Sequence, residues 1–186
     1  PEIAPVQVVV VPILYKETEA EVSKYSRQVY EKIRDAGIRA YLDDDEKTQP
    51  GDKFYHWEMF GVPIRAEVGP RDLRDKSVTL SERDNLERTK VSFDDLIPAI
   101  SGLFRKIGNN LSKNSRGFLE TMTVEANNLT DLRKAIRNRK IARIEWCGKT
   151  ECAEKIKEES GGEIRGHRFD VEEKPRKRCL ICCSEP

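Results

Sequence analysis

Cys147 and Cys152 are spaced CxxxxC, and Cys179 and Cys182 are spaced CxxC, which makes two close thiol pairs near the C-terminal end. Tetrahedral zinc takes four soft ligands, and two such pairs supply them. Four thiolates close the coordination shell and leave no position for a water nucleophile, so the site reads as structural zinc rather than a hydrolytic centre. Redox pairing of the same thiols is the competing reading, and it predicts disulfides and no metal. Cys183 directly follows Cys182 and ranks second to it as a ligand on spacing. His56 and His167 are the only histidines. Neither has a serine or cysteine at a nucleophile spacing, so acid–base or covalent catalysis is not indicated. His167 lies between the cysteine pairs and is a minor alternative ligand.

The rest of the composition narrows the class. The chain has 186 residues, 37% of them hydrophobic, enough for two small domains. Lys and Arg number 34 against 33 Asp and Glu, a net charge of +1, so any nucleic-acid contact has to be local. The longest apolar run, Val8 to Leu14 interrupted by Pro12, is too short to cross a bilayer, and no basic segment precedes it as in a signal peptide. Five cysteines crowded toward one end suit a reducing, cytoplasmic compartment better than a secreted disulfide framework. The chain opens on Pro1 directly before a buried-type strand, as expected of a piece of a longer protein.

Several elements must position these residues. Val6 to Leu14 is a β-branched run suited to a strand buried on both faces. Thr18 to Ala36 carries apolar residues at helical spacing (Val22, Tyr25, Val29, Ile33), and Gly37 follows where a helix ends. Ile38 to Leu42 is the next strand, which gives a βαβ unit with an expected right-handed crossover. Asp43 to Gly51 reads as a polar loop, after which Asp52 is expected to cap a short helix to Phe60. Val62 to Val68 and Ser77 to Arg83 are further strands, with Arg71 and Asp72 in the turn between them. From Asp94 a helical period runs through Leu111 to Met122. Beyond it, helices near Asp131 to Arg139 and Glu151 to Ser160 alternate with strands at Ile141 to Trp146 and around Glu163 to Phe169, and Glu172 to Arg178 forms a charged loop. Such a tail buries little apolar surface, and metal binding would supply folding free energy.

The block PGDKFYHWEMFGVPIRAEVGPRDL (Pro50 to Leu73) followed by SVTLSERD resembles the anticodon-binding domain of prolyl-tRNA synthetases of the archaeal and eukaryotic type. APVQVVVVPI and AGIRAYLDDD upstream, and WCGKTEC and CLICC downstream, stand in the same order as in that family, so the resemblance covers nearly the whole chain. It implies an α/β anticodon-binding domain over residues 1–96, a mixed five-stranded sheet flanked by helices. A connecting amphipathic helix over 97–125 and a small α+β zinc-binding domain over 126–186 would follow. The family's class II catalytic domain, which activates proline with ATP and magnesium and charges the 3′ end of tRNA(Pro), would precede this segment. None of its motifs is in this sequence, so the chain by itself is expected to bind RNA without aminoacylating it. The complete enzyme would be a cytoplasmic homodimer.

The resemblance also implies which residues read RNA. Proline anticodons carry two consecutive guanines. Guanine presents adjacent donors on its Watson–Crick edge, which match a carboxylate, and acceptors on its Hoogsteen edge, which match an arginine. By position in the block, Glu58, Arg65, Arg71 and Asp72 match residues that contact these guanines in relatives, and Arg88 falls near a further basic contact. Strand parity sets Arg65 with Glu67 on the face opposite Ile64 and Val68, which favours its exposure. Lys53 is a candidate phosphate contact and Phe54 a candidate stacking or core residue. The rival reading is a free-standing RNA-binding module built on the same domain, with a structural zinc site and no ligase activity.

Overall fold

The computed structural model describes residues 1–167 and 178–182. Two compact units divide the chain, Pro1–Lys113 and Asn114–Pro186. In the first, β1 (Val8–Pro12) is followed by α1 (Glu19–Asp35), β2 (Ala40–Leu42), α2 (Pro50–Met59), β3 (Ile64–Val68), α3 (Pro70–Asp75), β4 (Ser77–Glu82) and β5 (Arg88–Ser92). A long helix, α4 (Leu96–Met122), spans the division between the units. The sheet is mixed, in the order β2-β1-β3-β4-β5. β1 lies parallel to both β2 and β3, and β4 runs antiparallel to β3 and β5.

Alternation along β1 explains both layers. Val8 and Val10 pack with Ile64, Ala66, Val68, Val78 and Leu80 against the apolar stripe of α1 and the start of α4, where Leu96 and Ile100 are fully buried. Val9 and Val11 face the other way, with Val62, and are covered by Phe54 and Trp57 of α2. A central strand buried on both sides therefore reads as unbroken valine. α2 shields only part of this second face, and on β3, β4 and β5 the face turns polar.

Two start signals differ from the sequence reading. α2 begins at Pro50, not after Asp52, with Gln49 as its cap residue. Proline's fixed φ and missing N–H suit the first helical position, where that donor would go unused. The segment after Gly69 is a short helix, not a turn. Asp72 Oδ2 accepts a hydrogen bond from the Gly69 N–H at 3.0 Å, and Pro70 occupies the first position.

The second unit holds β6 (Thr123–Glu125) parallel to β7 (Ile141–Arg143), with α5 (Leu129–Arg137) and α6 (Thr150–Ser160). Its core is small. Ala126, Leu132 and Ile156 are buried, and Leu129, Ile136, Ile144 and Trp146 are half-buried around them. The expected strand around Glu163 does not form over the described residues 163–167, which have no regular secondary structure, and Phe169 lies outside the described residues. Glu163 instead pairs with Lys157 of α6 at 2.7 Å. No helix among the described residues is long and apolar enough to cross a membrane.

Candidate functional site

The register of the sheet builds a polar row across β3, β4 and β5, next to the apolar Val9 of β1. Val9 stands beside Arg65, Arg65 opposite Ser81, and Ser81 opposite Arg88. The neighbouring row carries Glu67 and Thr79. Period-two alternation then puts Arg65 and Glu67 on one face of the sheet, beside α2.

Arg65 is the hub of this row. Its Nη1 donates to Glu58 Oε1 at 2.7 Å, its Nε to Glu67 Oε1 at 3.0 Å, and its Nη2 reaches Ser81 Oγ at 3.4 Å. The guanidinium lies 3.9 Å from the Phe54 ring centroid, a stacked cation–π contact. Arg88 donates to the same Glu67 oxygen at 2.9 Å. Glu67 was not among the residues singled out by sequence, yet it ties the two arginines together. The spacing Arg65-x-Glu67 on one strand face was the available signal.

The expectation that Arg65 is exposed is wrong. Parity is as read, but the side chain is only 10% accessible, because α2 lays Phe54 over it and Glu58 and Glu67 close its sides. What remains open is Glu58, whose side chain is 36% accessible. One of its carboxylate oxygens is held by Arg65. Arg65 thus fixes the direction of a half-exposed carboxylate able to meet the paired donors of a guanine edge. Arg88 is about half-exposed and can present its remaining donors outward.

Arg71 and Asp72 stand apart from that network. Arg71 is exposed at the start of α3 and makes no ion pair among the described residues. Asp72 is buried, and besides the Gly69 N–H it accepts from Thr79 Oγ1 at 3.1 Å. A carboxylate at a helix start that also binds a neighbouring strand contributes to stability. Asp72→Ala is expected to lower the unfolding free energy by about 1 kcal/mol or more, read from a denaturant midpoint.

Lys53 is not a phosphate contact. It is buried, and its Nζ binds the Asp43 backbone carbonyl at 2.9 Å and Asp43 Oδ1 at 3.0 Å. Trp57 Nε1 donates to the other oxygen of Asp43 at 2.7 Å. These bonds pin α2 to the end of β2. His56 is exposed and packs on Trp57 and Phe60, a helix-surface role rather than a base.

In the second unit Cys147, Cys152, Cys179 and Cys182 converge, with their sulfurs all within 4.8 Å of one another. Cys147 follows β7 in a turn where Gly148 takes φ +80°, Cys152 sits in the first turn of α6, and Cys179 begins the final turn. The Leu180 N–H donates to the Glu145 carbonyl at 3.1 Å, which holds that turn against the chain leaving β7. No disulfide joins these four cysteines, and the Cys147 and Cys182 sulfurs stand 3.6 Å apart. Tetrahedral zinc with Zn–S bonds of about 2.3 Å would set sulfurs about 3.8 Å apart, so the donor set and spacing fit a metal ion. The thiols by themselves are poorly placed. Burial and the neighbouring sulfurs push the Cys152 thiol up to about 12, whereas at Cys179 burial is outweighed by backbone N–H donors that hold the thiol below its ordinary value. A bound cation reverses the first effect by favouring the thiolate. His167 is exposed and not part of the cluster, and Cys183 lies outside the described residues.

Residues 7–103 match the family model described as anticodon binding domain. The chain belongs to the anticodon-binding domain family. Residues 129–186 match a second model, that of the prolyl-tRNA synthetase C-terminal region. A proline–tRNA ligase of Pyrobaculum arsenaticum is 40% identical over 91% of this chain and 35% of its own length. One from Thermococcus kodakarensis is 37% identical over 100% of this chain and 39% of its own length. The crystal structure of prolyl-tRNA synthetase from Cryptosporidium parvum, complexed with halofuginone and AMPPNP, superposes with a TM-score of 0.88 at 29% identity, over 100% of this chain and 39% of that one. The chain therefore spans little more than a third of the length of these relatives.

Proposed function

We propose that this chain is the tRNA-recognising C-terminal part of a prolyl-tRNA synthetase. The reading is carried by the succession of the anticodon-binding and prolyl-synthetase C-terminal matches in one chain. Glu58, oriented by Arg65, meets the Watson–Crick donors of an anticodon guanine of tRNA(Pro). Arg88 supplies donors to an adjoining base or phosphate, and Arg71 an exposed cation at the rim. Asp72 acts by holding the start of α3 in place. Zinc occupies the four thiolates of Cys147, Cys152, Cys179 and Cys182 and acts structurally. Activation of proline with ATP and magnesium belongs to a catalytic domain elsewhere in the enzyme, a cytoplasmic homodimer.

With balanced charge overall, the phosphate contribution to binding is local, so affinity for tRNA is modest and falls as salt rises. The deciding experiment is proline charging by the full-length protein containing this chain, with native tRNA(Pro) and with transcripts changed at each anticodon guanine. Selective loss with the changed transcripts is expected. In the Glu58→Gln variant the preference for guanine should shrink by about ten-fold or more, since a bidentate base contact contributes about 1–3 kcal/mol of discrimination. Unchanged preference would remove Glu58 from the reading, and absence of charging by the unaltered protein would favour a free-standing RNA-binding module.

A further inference from the structure

β5 is an edge of the sheet and its side chains are largely exposed, so β4 alone holds the strand that carries Arg88. A hairpin that presents Arg83 and Arg88 in fixed places needs a further support, and α4 supplies it. Lys106 Nζ donates to Glu82 Oε1 at 2.8 Å and to Glu87 Oε2 at 2.5 Å. Glu82 is the last residue of β4 and Glu87 immediately precedes β5, so one ammonium spans the mouth of the hairpin. Asn110 Nδ2 donates to Asp84 Oδ2 at 2.9 Å, in the loop that joins the two strands. Residues four apart share a helix face, so a single side of α4 holds the hairpin through Lys106 and Asn110.

The carboxylates under Lys106 are unequal. Glu87 is exposed, and its pairing alone contributes little. The Glu82 side chain is 1% accessible, Lys106 is its ion-pair partner, and its second oxygen has no hydrogen-bond partner among the described residues. A buried carboxylate deprived of its counter-charge has to move or draw in water, so Lys106 decides where Glu82 sits. Hydrogen bonds to both carboxylates in turn raise Lys106 above its ordinary range and keep it charged.

The effect on the site follows from strand alternation. Neighbouring side chains leave opposite faces of a strand, so drawing Glu82 and Glu87 toward α4 turns Ser81 and Arg88 to the other face. There Ser81 Oγ meets Arg65 Nη2, and Arg88 meets Glu67. On the other side of Glu82, the Arg83 N–H donates to the Pro63 carbonyl at 3.0 Å and Arg83 Nε to the Glu58 carbonyl at 2.9 Å. Glu82 also lines a small cleft together with Glu58, Arg65, Ser81 and Arg83.

We infer that Lys106 is a positioning residue for anticodon recognition: through Glu82 and Glu87 it sets the β4–β5 hairpin, and so places Ser81, Arg83 and Arg88 around Arg65 and Glu58. The inference rests on the anticodon-recognition reading and adds to it a residue that acts from the opposite face of the sheet. Two-point hydrogen bonding to a base edge requires its groups to be held within about 0.5 Å, so a loosened hairpin lowers selectivity for guanine.

The test compares charging of native tRNA(Pro) with charging of transcripts changed at an anticodon guanine, by the full-length protein containing this chain. Lys106→Met should lower the preference for the native transcript about five-fold, the low end of what a bidentate base contact supplies. Lys106→Arg can still bridge two carboxylates and should keep the preference within about two-fold. In a Glu58→Gln background Lys106→Met should lower the preference less than it does alone, because both act on the same contact. Glu87→Ala removes the exposed end of the bridge without stranding a buried charge, so this variant folds, and it should lower the preference about two-fold. A purely structural lysine would lower the melting temperature of the first unit and leave the preference unchanged. That outcome in Lys106→Met, or an unchanged preference in Glu87→Ala where Lys106→Met does not fold, would overturn the inference. Fully additive losses in the Lys106→Met/Glu58→Gln pair would overturn it too. Indifference of the unaltered protein to the anticodon guanines would instead defeat the recognition reading on which the inference rests.

Discussion

Stripping metal from the four-cysteine cluster is expected to unfold the second unit and leave the first folded. Among its described residues the second unit has only a small apolar cluster, centred on the buried Ala126, Leu132 and Ile156. Burial of a large aliphatic side chain contributes about 1.5–3 kcal/mol, and alanine less. A structural zinc in a small domain contributes on the order of 10 kcal/mol of apparent binding free energy at neutral pH, so the metal dominates. The two tryptophans divide between the units, Trp57 in the first and Trp146 in the second, which makes the prediction easy to read. In a Trp57→Phe background, chelation should shift Trp146 emission to that of a solvent-exposed indole and remove the second unit's melting transition. Cys152→Ser should do the same without chelator. Trp146 emission that resists both treatments would show that the unit stands on its small core. The pH dependence has a definite sign. Because burial and the neighbouring sulfurs raise the Cys152 thiol above its ordinary value in the metal-free protein, metal capture at neutral pH must expel its proton. Stability of the metal-loaded unit therefore rises with pH and is lost on acidification.

Arg65→Met is expected to be damaging twice over. The substitution leaves Glu67, whose side chain is 5% accessible, with Arg88 as its remaining partner, and it releases Glu58 from its fixed direction. Removing one member of a buried pair costs about 3–5 kcal/mol, and the surviving Arg88 contact sets the value near the lower end. The denaturant midpoint of the first unit should fall accordingly. Discrimination at the anticodon guanine should shrink in parallel with that of Glu58→Gln, because Arg65 acts through Glu58. Arg88→Met provides the contrast. Its side chain is 54% accessible, so its loss should cost at most about 1 kcal/mol of stability. If Arg65→Met kept wild-type stability, the buried network would not hold this face together.

Elements with a strong period were legible in the sequence. The valine run of β1, the stripe of α1 and the long stripe of α4 each state their own type, because burial on two faces or on one helical side leaves a distinct spacing of apolar residues. β5, with the sequence RTKVS, was not, since an edge strand open to water needs no alternation. β6 is three residues long and carries too little pattern to read. The cysteine spacing named four candidate ligands, and folding brings those four together.

Exposure at the site was a tertiary matter. Sequence parity placed Arg65 opposite the main core, but it carries no information on whether another element covers that side. α2 does cover it, and so a presumed contact residue becomes the support of Glu58. Lys53 illustrates the same point: a lysine in a polar stretch is ordinarily solvated, and only the approach of Asp43 makes its burial affordable. The sequence by itself determined the type of the strongly periodic elements, the family resemblance and which four cysteines cluster, because these depend on local period and on residue identity. Which polar residues face outward and which are spent holding others were decided by the packing of elements distant in sequence.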